Sequence, residues 1–328
     1  WPVGQSEAKL VWGREVPWAD EVLAAARGEF AGGMPREAAA TPPSAPRPAP
    51  ASWSALTPSW SEGEYRMKFE EVHRALQRGD IYEMNLCMPW QGKAPGQASW
   101  SLFERLAAAT KAPHSAYIQA GDHRVLCASP ERFLEKRGQT LRSQPIKGTV
   151  RRGGTPEEDD ALKRSLLESE KERAENVMIV DLVRNDLSRV AQPNSVEVDE
   201  LFGLHTFSTV HQMISTVSCQ LQPDATAEDV LRATFPMGSM TGAPKLSAMD
   251  LIASLEGHGR GVYSGTIGYV DALGDWDFNV VIRSLMHQAD TGRVDATVGG
   301  ALTLLAQGDD EYDECLLKVA ALKSCLER

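Results

Sequence analysis

Ser115-Ala116-Tyr117-Ile118, Arg124-Val125-Leu126-Cys127-Ala128, Arg132-Phe133-Leu134-Glu135-Lys136 and Thr140-Leu141-Arg142-Ser143 follow one another with only turns between them. Short runs with β-branched, aromatic and aliphatic side chains, punctuated by Gly121-Asp122 and Gly138, read as consecutive strands. More strand candidates lie at 81–87, 261–270, 277–287 and 294–298. Helices are expected at 157–188, 226–234, 246–256 and 309–326. Another begins past Trp60-Ser61, with Ser61 as cap and Glu64 three residues on. Phe69, Val72 and Leu76 give that helix an apolar face, and it ends near Gly79-Asp80. Strands and helices therefore come in blocks. The fold class expected is α+β with antiparallel sheets, and not a doubly wound sheet, which needs strict alternation.

The amino end is different. A helix is expected near 18–26, and residues 35–50 are dominated by Pro, Ala and Ser. That composition packs no core and reads as an extended linker. The division expected is a short segment over 1–34, a linker over 35–59 and one catalytic domain over 60–328.

The 328 residues, 42% of them hydrophobic, suffice for a large core. Asp plus Glu number 45 against 34 Lys plus Arg, a net charge of -11 that argues against a nucleic-acid partner. Cys87, Cys127, Cys219, Cys315 and Cys325 are scattered, without a Cys-x-x-Cys pair, which disfavours zinc and a disulfide framework and suits a reducing cytoplasm. No apolar run is long enough to cross a bilayer and no leader is expected.

Chemistry concentrates around Pro145-Ile146-Lys147-Gly148-Thr149 and Ser129-Pro130-Glu131. A lysine becomes a nucleophile when burial or cationic neighbours lower its pKa, and a nearby carboxyl group can supply a leaving group's proton. The plainer alternative is a surface lysine in a turn. Glu168, Glu172 and Glu175 share one face of the expected helix over 157–188, and Asp310, Glu311 and Glu314 share another, with Lys318 one turn on. Such runs are commonly solvated faces, but two converging acidic faces would suit a hard cation such as Mg2+. Gly238-Ser239-Met240-Thr241-Gly242-Ala243-Pro244-Lys245 and Gly299-Gly300 read as glycine turns whose N–H groups can cradle an anion, or as tight turns only. Arg283, in an apolar alternation, calls for an anionic partner.

Taken together, these segments resemble the chorismate-utilising enzymes. The resemblance rests on Ile81-Tyr82-Glu83-Met84-Asn85-Leu86, the Ser-Pro-Glu and Pro-Ile-Lys-Gly-Thr segments, and Arg173-Ala174-Glu175-Asn176 with the residues to Asp186. Gly238 to Lys245, Tyr263-Ser264-Gly265-Thr266-Ile267-Gly268-Tyr269, Ile282-Arg283 and Glu311-Tyr312-Asp313-Glu314 complete it. The match is collinear over about 60–325. It implies large, mostly antiparallel sheets around a central pocket with helices outside, as in anthranilate synthase component I.

Within the family, anthranilate synthases carry alanine at the place of Lys147, whereas the aminodeoxychorismate synthase branch carries lysine. The resemblance therefore implies amination of chorismate at carbon 4 for p-aminobenzoate and folate synthesis. Lys147 would form a transient covalent bond to the ring and Glu131 would act as acid. By the same resemblance Glu175 and Glu314 would ligate Mg2+, with Glu172 near its water shell. Gly148, Thr149, Gln212, Thr241, Gly242, Tyr263, Arg283, Gly299, Gly300, Ala301 and Lys318 would surround chorismate. Ammonia would come from a separate glutamine amidotransferase subunit, since no Gly-rich elbow with a nucleophilic Cys is present. The alternatives are an anthranilate synthase component or a chorismate-binding homologue with weakened catalysis.

Some residues depart from the family pattern. Ala301 replaces a third glycine and Ala306 an acidic residue. Gln212 stands where pyruvate-eliminating members carry histidine, with His211 one place earlier, so loss of pyruvate is not expected. Glu83 stands where salicylate-type synthases carry a basic lysine. The stretch before residue 60 is short, which leaves open any tryptophan-binding pocket built there.

Overall fold

The computed structural model describes residues 53–327. The expected helix at 18–26, the segment 1–34 and the linker up to residue 52 lie outside the described residues.

Two antiparallel sheets organise the described chain. The first runs β1 (Ser54–Pro58), β2 (Glu83–Lys93), β14 (Arg293–Leu302), β13 (Ser284–Gln288), β4 (His123–Ser129), β3 (His114–Ala120), with the short β10 (Gly242–Ala243) also on β2. The second runs β11 (Gly268–Val270), β12 (Trp276–Asn279), β5 (Arg132–Arg137), β6 (Thr140–Gln144), β9 (Val210–Gln220), β7 (Ile146–Arg151), with β8 (Glu197–Thr206) on β9. Against the first sheet or its helices pack α1 (Glu62–Arg78), α2 (Ser99–Thr110), α6 (Lys245–Glu256) and α7 (Gly308–Leu326). α3 (Pro156–Glu168) and α4 (Glu170–Ser188) pack on the second, and α5 (Ala227–Thr234) packs on α4. Each sheet has its own apolar core, one centred on Leu86, Trp90 and Leu126, the other on Leu134, Val217 and Trp276. The α+β class with antiparallel sheets is the one the block pattern predicts.

The four strands between 115 and 143 form as read, and so does the cap of α1. Ser61 Oγ accepts from Glu64 N at 3.3 Å while the Glu64 carboxylate accepts from Ser61 N at 2.7 Å. Gly79 ends the helix with a left-handed φ of 77°.

Several boundaries differ, each for a local reason. The segment 35–59 does not stay a linker to its end: β1 pairs with β2, Ser54 opposite Lys93, and Leu56 is buried. The expected helix over 157–188 is two helices, because Ser169 turns extended and caps α4 by accepting from Glu172 N. Glu168 therefore does not share a helix with Glu172 and Glu175. The expected strand over 261–270 shrinks to Gly268–Val270, since Gly261 and Ser264 both take positive φ. β8 and β9 were not expected. β9 is buried along nearly its whole length, so it lacks the alternation that marks a strand with one wet face.

One difference builds the site. The run 277–287 is two strands in different sheets, parted at Val280-Val281-Ile282-Arg283. Arg283 has φ 52°, a left-handed conformation that ends the alternation. The chain makes the opposite crossing at Pro130-Glu131, between β4 and β5. Val280 N donates to Glu131 O at 3.0 Å and Ala128 N to Arg283 O at 3.2 Å, so the crossings are tied together.

Candidate active site

Glu131 and Arg283 thus stand where the chain passes between sheets, and strands from both converge there. Lys147 lies on β7 of the second sheet and is only 8% exposed, so it is no surface lysine in a turn. Its ammonium donates to Glu83 Oε1 of β2 at 2.6 Å and lies 3.8 Å from Glu175 Oε2 of α4. Burial alone would lower the pKa of Lys147, but Glu83 and Glu175 outweigh it and hold the amine well above its ordinary value. The depressed lysine that nucleophilic chemistry suggests is not what the resting site contains. It contains a buried ion pair.

Glu131 is buried, and this burial pushes its carboxyl up to about 7 against the opposing pull of Ser239 and Lys147. Near neutrality it can therefore carry a proton.

Gly148 has φ 86° and sits at an irregularity in the β7–β9 pairing. A Cβ there would lie 2.7 Å from Leu166 Cδ1 and 3.0 Å from Glu172 Oε2, so its bare backbone lets α4 bring Glu172 close. Beside it, Gln212 Nε2 reaches Thr149 Oγ1 at 3.5 Å. His211 is buried and engaged elsewhere, with Asp159 Oδ1 and Thr206 Oγ1 each 2.9 Å from its ring nitrogens.

The carboxylates of α4 and α7 do converge. Glu172 feels Glu314, and Glu314 feels Lys171 and Lys147 as well as Lys318. Lysines occupy this cluster: Lys171 on Glu311 Oε1 at 2.7 Å, Lys318 on Glu314 Oε1 at 2.6 Å, and Lys147 near Glu175. Burial raises the carboxyl of Glu175 to about 7 and also raises those of Glu172 and Glu311. Burial acts the same way on Glu314, but Lys318 brings it below its ordinary value.

Among the described residues no group of three or more His, Cys, Asp or Glu side chains is gathered as a ready metal cage. Two buried oxygens of the cluster, Glu175 Oε1 and Glu311 Oε2, nevertheless have no hydrogen-bond partner. Hard, anionic and unsatisfied, they suit a magnesium ion by donor type.

The Gly299-Gly300-Ala301 segment is not a turn. It lies within β14, where Gly299 pairs with Cys87, Gly300 with Leu86 and Ala301 with Asn85. A Cβ on Gly299 would fall 2.3 Å from Leu86 O, and one on Gly300 3.0 Å from Glu311 Oε2. These glycines serve close approach, not a bend. Gly299 O accepts from Lys318 Nζ at 2.7 Å. Gly299→Ala is expected to push β14 off β2 and cost about 1–3 kcal/mol, read by urea unfolding; an unchanged midpoint would contradict this packing. Ala306, at the place of the acidic residue, is buried in the first core.

The segment 238–245 is also more than an anion-cradling turn. It forms a 3-10 turn over Gly238–Met240, then β10 against β2, with a Cβ on Gly242 only 2.1 Å from Glu83 O. Thr241 is buried, its hydroxyl donating to Met237 O at 3.1 Å, and its carbonyl accepts from Asn85 N at 2.7 Å. Tyr263 is buried with its hydroxyl 3.7 Å from Cys87 Sγ. Arg283 donates to Lys318 O at 3.3 Å, a neutral partner that leaves its charge without a counter-ion at hydrogen-bond distance among the described residues.

Lys171, which neutralises Glu311, was not singled out from the sequence. Glu83 was noted only as a departure from salicylate-type synthases and not as the partner of Lys147, and Glu311 was placed on the acidic face but not among the metal ligands, although it carries an orphaned oxygen. The available signal for Glu83 was an acid inside the apolar run of β2, where every residue from Glu83 to Met88 is buried.

A family model described as chorismate binding enzyme matches residues 18–324. The chain is 41% identical over 276 residues to aminodeoxychorismate synthase component 1 of Klebsiella aerogenes, covering 83% of this chain and 60% of that protein. It is 39% identical over 277 residues to the protein of the same name from Escherichia coli K12, with the same coverage of each. Both matches leave two-fifths of the relatives' length outside. Among solved structures, anthranilate synthase component I from Streptococcus pneumoniae TIGR4 superposes with a TM-score of 0.73 at 28% identity, covering 94% of this chain and 66% of that one. With a family model spanning nearly its whole length and relatives at this identity, the chain belongs to the chorismate-binding enzymes.

Proposed function

We propose that this chain is the chorismate-aminating component of an aminodeoxychorismate synthase, converting chorismate and ammonia to 4-amino-4-deoxychorismate. The observation that carries this reading is Lys147, buried on β7 and ion-paired to Glu83, with Glu131 near enough for their charges to act on each other. The relatives named aminodeoxychorismate synthase component 1 support the same reading, and their designation as a component supports a separate amidotransferase subunit as the ammonia source.

The resting ion pair sets the order of events. Lys147 first passes its proton to Glu83, 2.6 Å away, because an ammonium has no lone pair. The free amine then bonds to ring carbon 2. The ring double bonds shift, and the hydroxyl at carbon 4 leaves as water with the proton of Glu131. Ammonia adds at carbon 4 and gives a proton to the Glu131 carboxylate, while the bond from carbon 2 to Lys147 breaks and the amine returns to its place beside Glu83.

Arg283 and Lys318 supply positive charge for the carboxylates of chorismate, with Gly148-Thr149, Gln212, Thr241-Gly242, Tyr263 and the Gly299-Gly300-Ala301 strand around it. Glu175 and Glu314, with Glu172 beside them, would hold Mg2+, and Glu311 joins them on account of its unpartnered oxygen. Bound there, the ion would neutralise a substrate carboxylate and orient the ring. Among the described residues no helix is long and apolar enough to cross a membrane, and the five cysteines are free, which supports a reducing cytoplasmic setting.

The test is incubation of the chain with chorismate, magnesium and an ammonium salt. A product that a lyase converts to p-aminobenzoate is expected. Anthranilate fluorescence would instead indicate amination at carbon 2 with pyruvate loss, and unchanged chorismate despite binding would indicate a non-catalytic homologue.

A further inference from the structure

The carboxylate cluster between α4 and α7 is interleaved with lysines. Glu175, Glu311 and Glu314 each have a different lysine neighbour: Lys147, Lys171 and Lys318 respectively. Two of these lysines have further work in the site. Lys147 also donates to Glu83, and Lys318 to Gly299 O. Among the described residues Lys171 pairs with Glu311 Oε1 alone, and its side chain is 34% exposed against 9% for Lys147 and 23% for Lys318.

The other end of that ion pair is unusual. Glu311 is 1% exposed, and its second oxygen, Oε2, is buried without a hydrogen-bond partner among the described residues, facing Gly300. A buried carboxylate with half its acceptor capacity unmet is costly, so the single contact from Lys171 bears most of its compensation. Glu175 Oε1 is stranded in the same way on the facing helix.

We propose that Lys171 is a resident counter-cation, which neutralises Glu311 in the metal-free protein and leaves it when a divalent cation takes up the stranded oxygens of Glu311 and Glu175. The inference rests on the divalent-cation reading of this cluster. Lys171 is the lysine able to leave. It is the second residue of α4, at the rim, and its stem can carry the ammonium outward to water while the helix stays in place. Lys147 is too enclosed to do so, and Lys318 is held by Gly299 O as well as by Glu314. An ammonium kept beside Glu311 would repel an arriving dication, so ion and lysine compete for one carboxylate. The exchange keeps the cluster compensated at every stage, and the metal-free site never holds Glu311 as a naked buried charge.

The experiment uses the full chain and manganese(II) as a paramagnetic stand-in, with binding followed by electron paramagnetic resonance and unfolding by thermal melts. Lys171→Met keeps the apolar stem and removes the competitor, and Lys171→Arg keeps the charge. The Met variant is expected to bind Mn2+ about tenfold more tightly than wild type, because no ion pair has to be broken first. Its metal-free melting temperature should fall, while its Mn2+-saturated melting temperature should match wild type. The Arg variant should track wild type in both.

Unchanged or weaker Mn2+ binding by Lys171→Met would overturn the inference while leaving the metal reading intact. So would an equal loss of melting temperature with and without Mn2+, which would make Lys171 a permanent structural partner. Absence of Mn2+ binding by the wild-type protein would remove the inference together with the metal reading beneath it.

Discussion

Lys147→Ala is expected to lose amination at carbon 4, with the rate falling on the order of 10³-fold or more, as removal of a covalent nucleophile does. Without the amine at carbon 2 nothing activates carbon 4, so any residual product should carry nitrogen at carbon 2. The wild-type chain, given chorismate without ammonia, should gain mass at the peptide containing Lys147, and the variant should not. Truncation also strands Glu83, which is 2% exposed, beside Glu175. Breaking a buried pair by removing one partner costs about 3–5 kcal/mol. Lost activity alone would therefore be ambiguous, and Lys147→Gln, which keeps a hydrogen-bond donor toward Glu83, is the companion variant. If that variant melts near wild type and still makes no 4-amino product, the deficit belongs to the chemistry. Normal turnover by either variant would remove Lys147 from the mechanism.

The fold was legible where its signals are local. The strands between 115 and 143 are short runs of strand-forming residues punctuated by Gly121-Asp122 and Gly138, and the Ser61–Glu64 box is a four-residue pattern, so both could be read directly. The change of sheet at Val280 to Arg283 was not legible, because a strand-like apolar run continues through it and the break is a single positive φ at a residue that rarely adopts one. β9 escaped for the opposite reason, being buried on both faces.

At the site, Lys147, Glu131 and the two acidic helices could be picked out by residue type and spacing. Their pairing could not. Glu83 and Lys147 are 64 residues apart in the chain, and only the fold brings one to within hydrogen-bond distance of the other. For the same reason the expected lowering of the lysine pKa was wrong in sign, since burial was foreseen and the carboxylates were not. The Gly299-Gly300 pair was misread as a turn because a glycine's need for space and its freedom to bend look alike in a sequence.

Glu131 carries the second large effect, and its sign follows from burial. In the proposed mechanism the group must be protonated to release the carbon-4 hydroxyl as water, and burial holds its carboxyl up to about 7. The catalytically useful form is therefore the majority below pH 7 and is lost above it. With free ammonia held constant and chorismate saturating, single-turnover loss of the hydroxyl should fall ~tenfold from about pH 6 to about pH 8, following a single titration. Ammonia's own ionisation pushes the other way, which is why its free concentration must be fixed. Glu131→Gln keeps the shape of the side chain but has no acidic proton, and it should slow this step by about 10²–10⁴-fold and flatten the profile. Because the Glu131 backbone carbonyl, not its carboxyl, accepts from Val280 N, the crossing between the sheets should survive the substitution. A falling limb near neutrality that persists in Glu131→Gln would assign the titration to another group, and the acid to another residue.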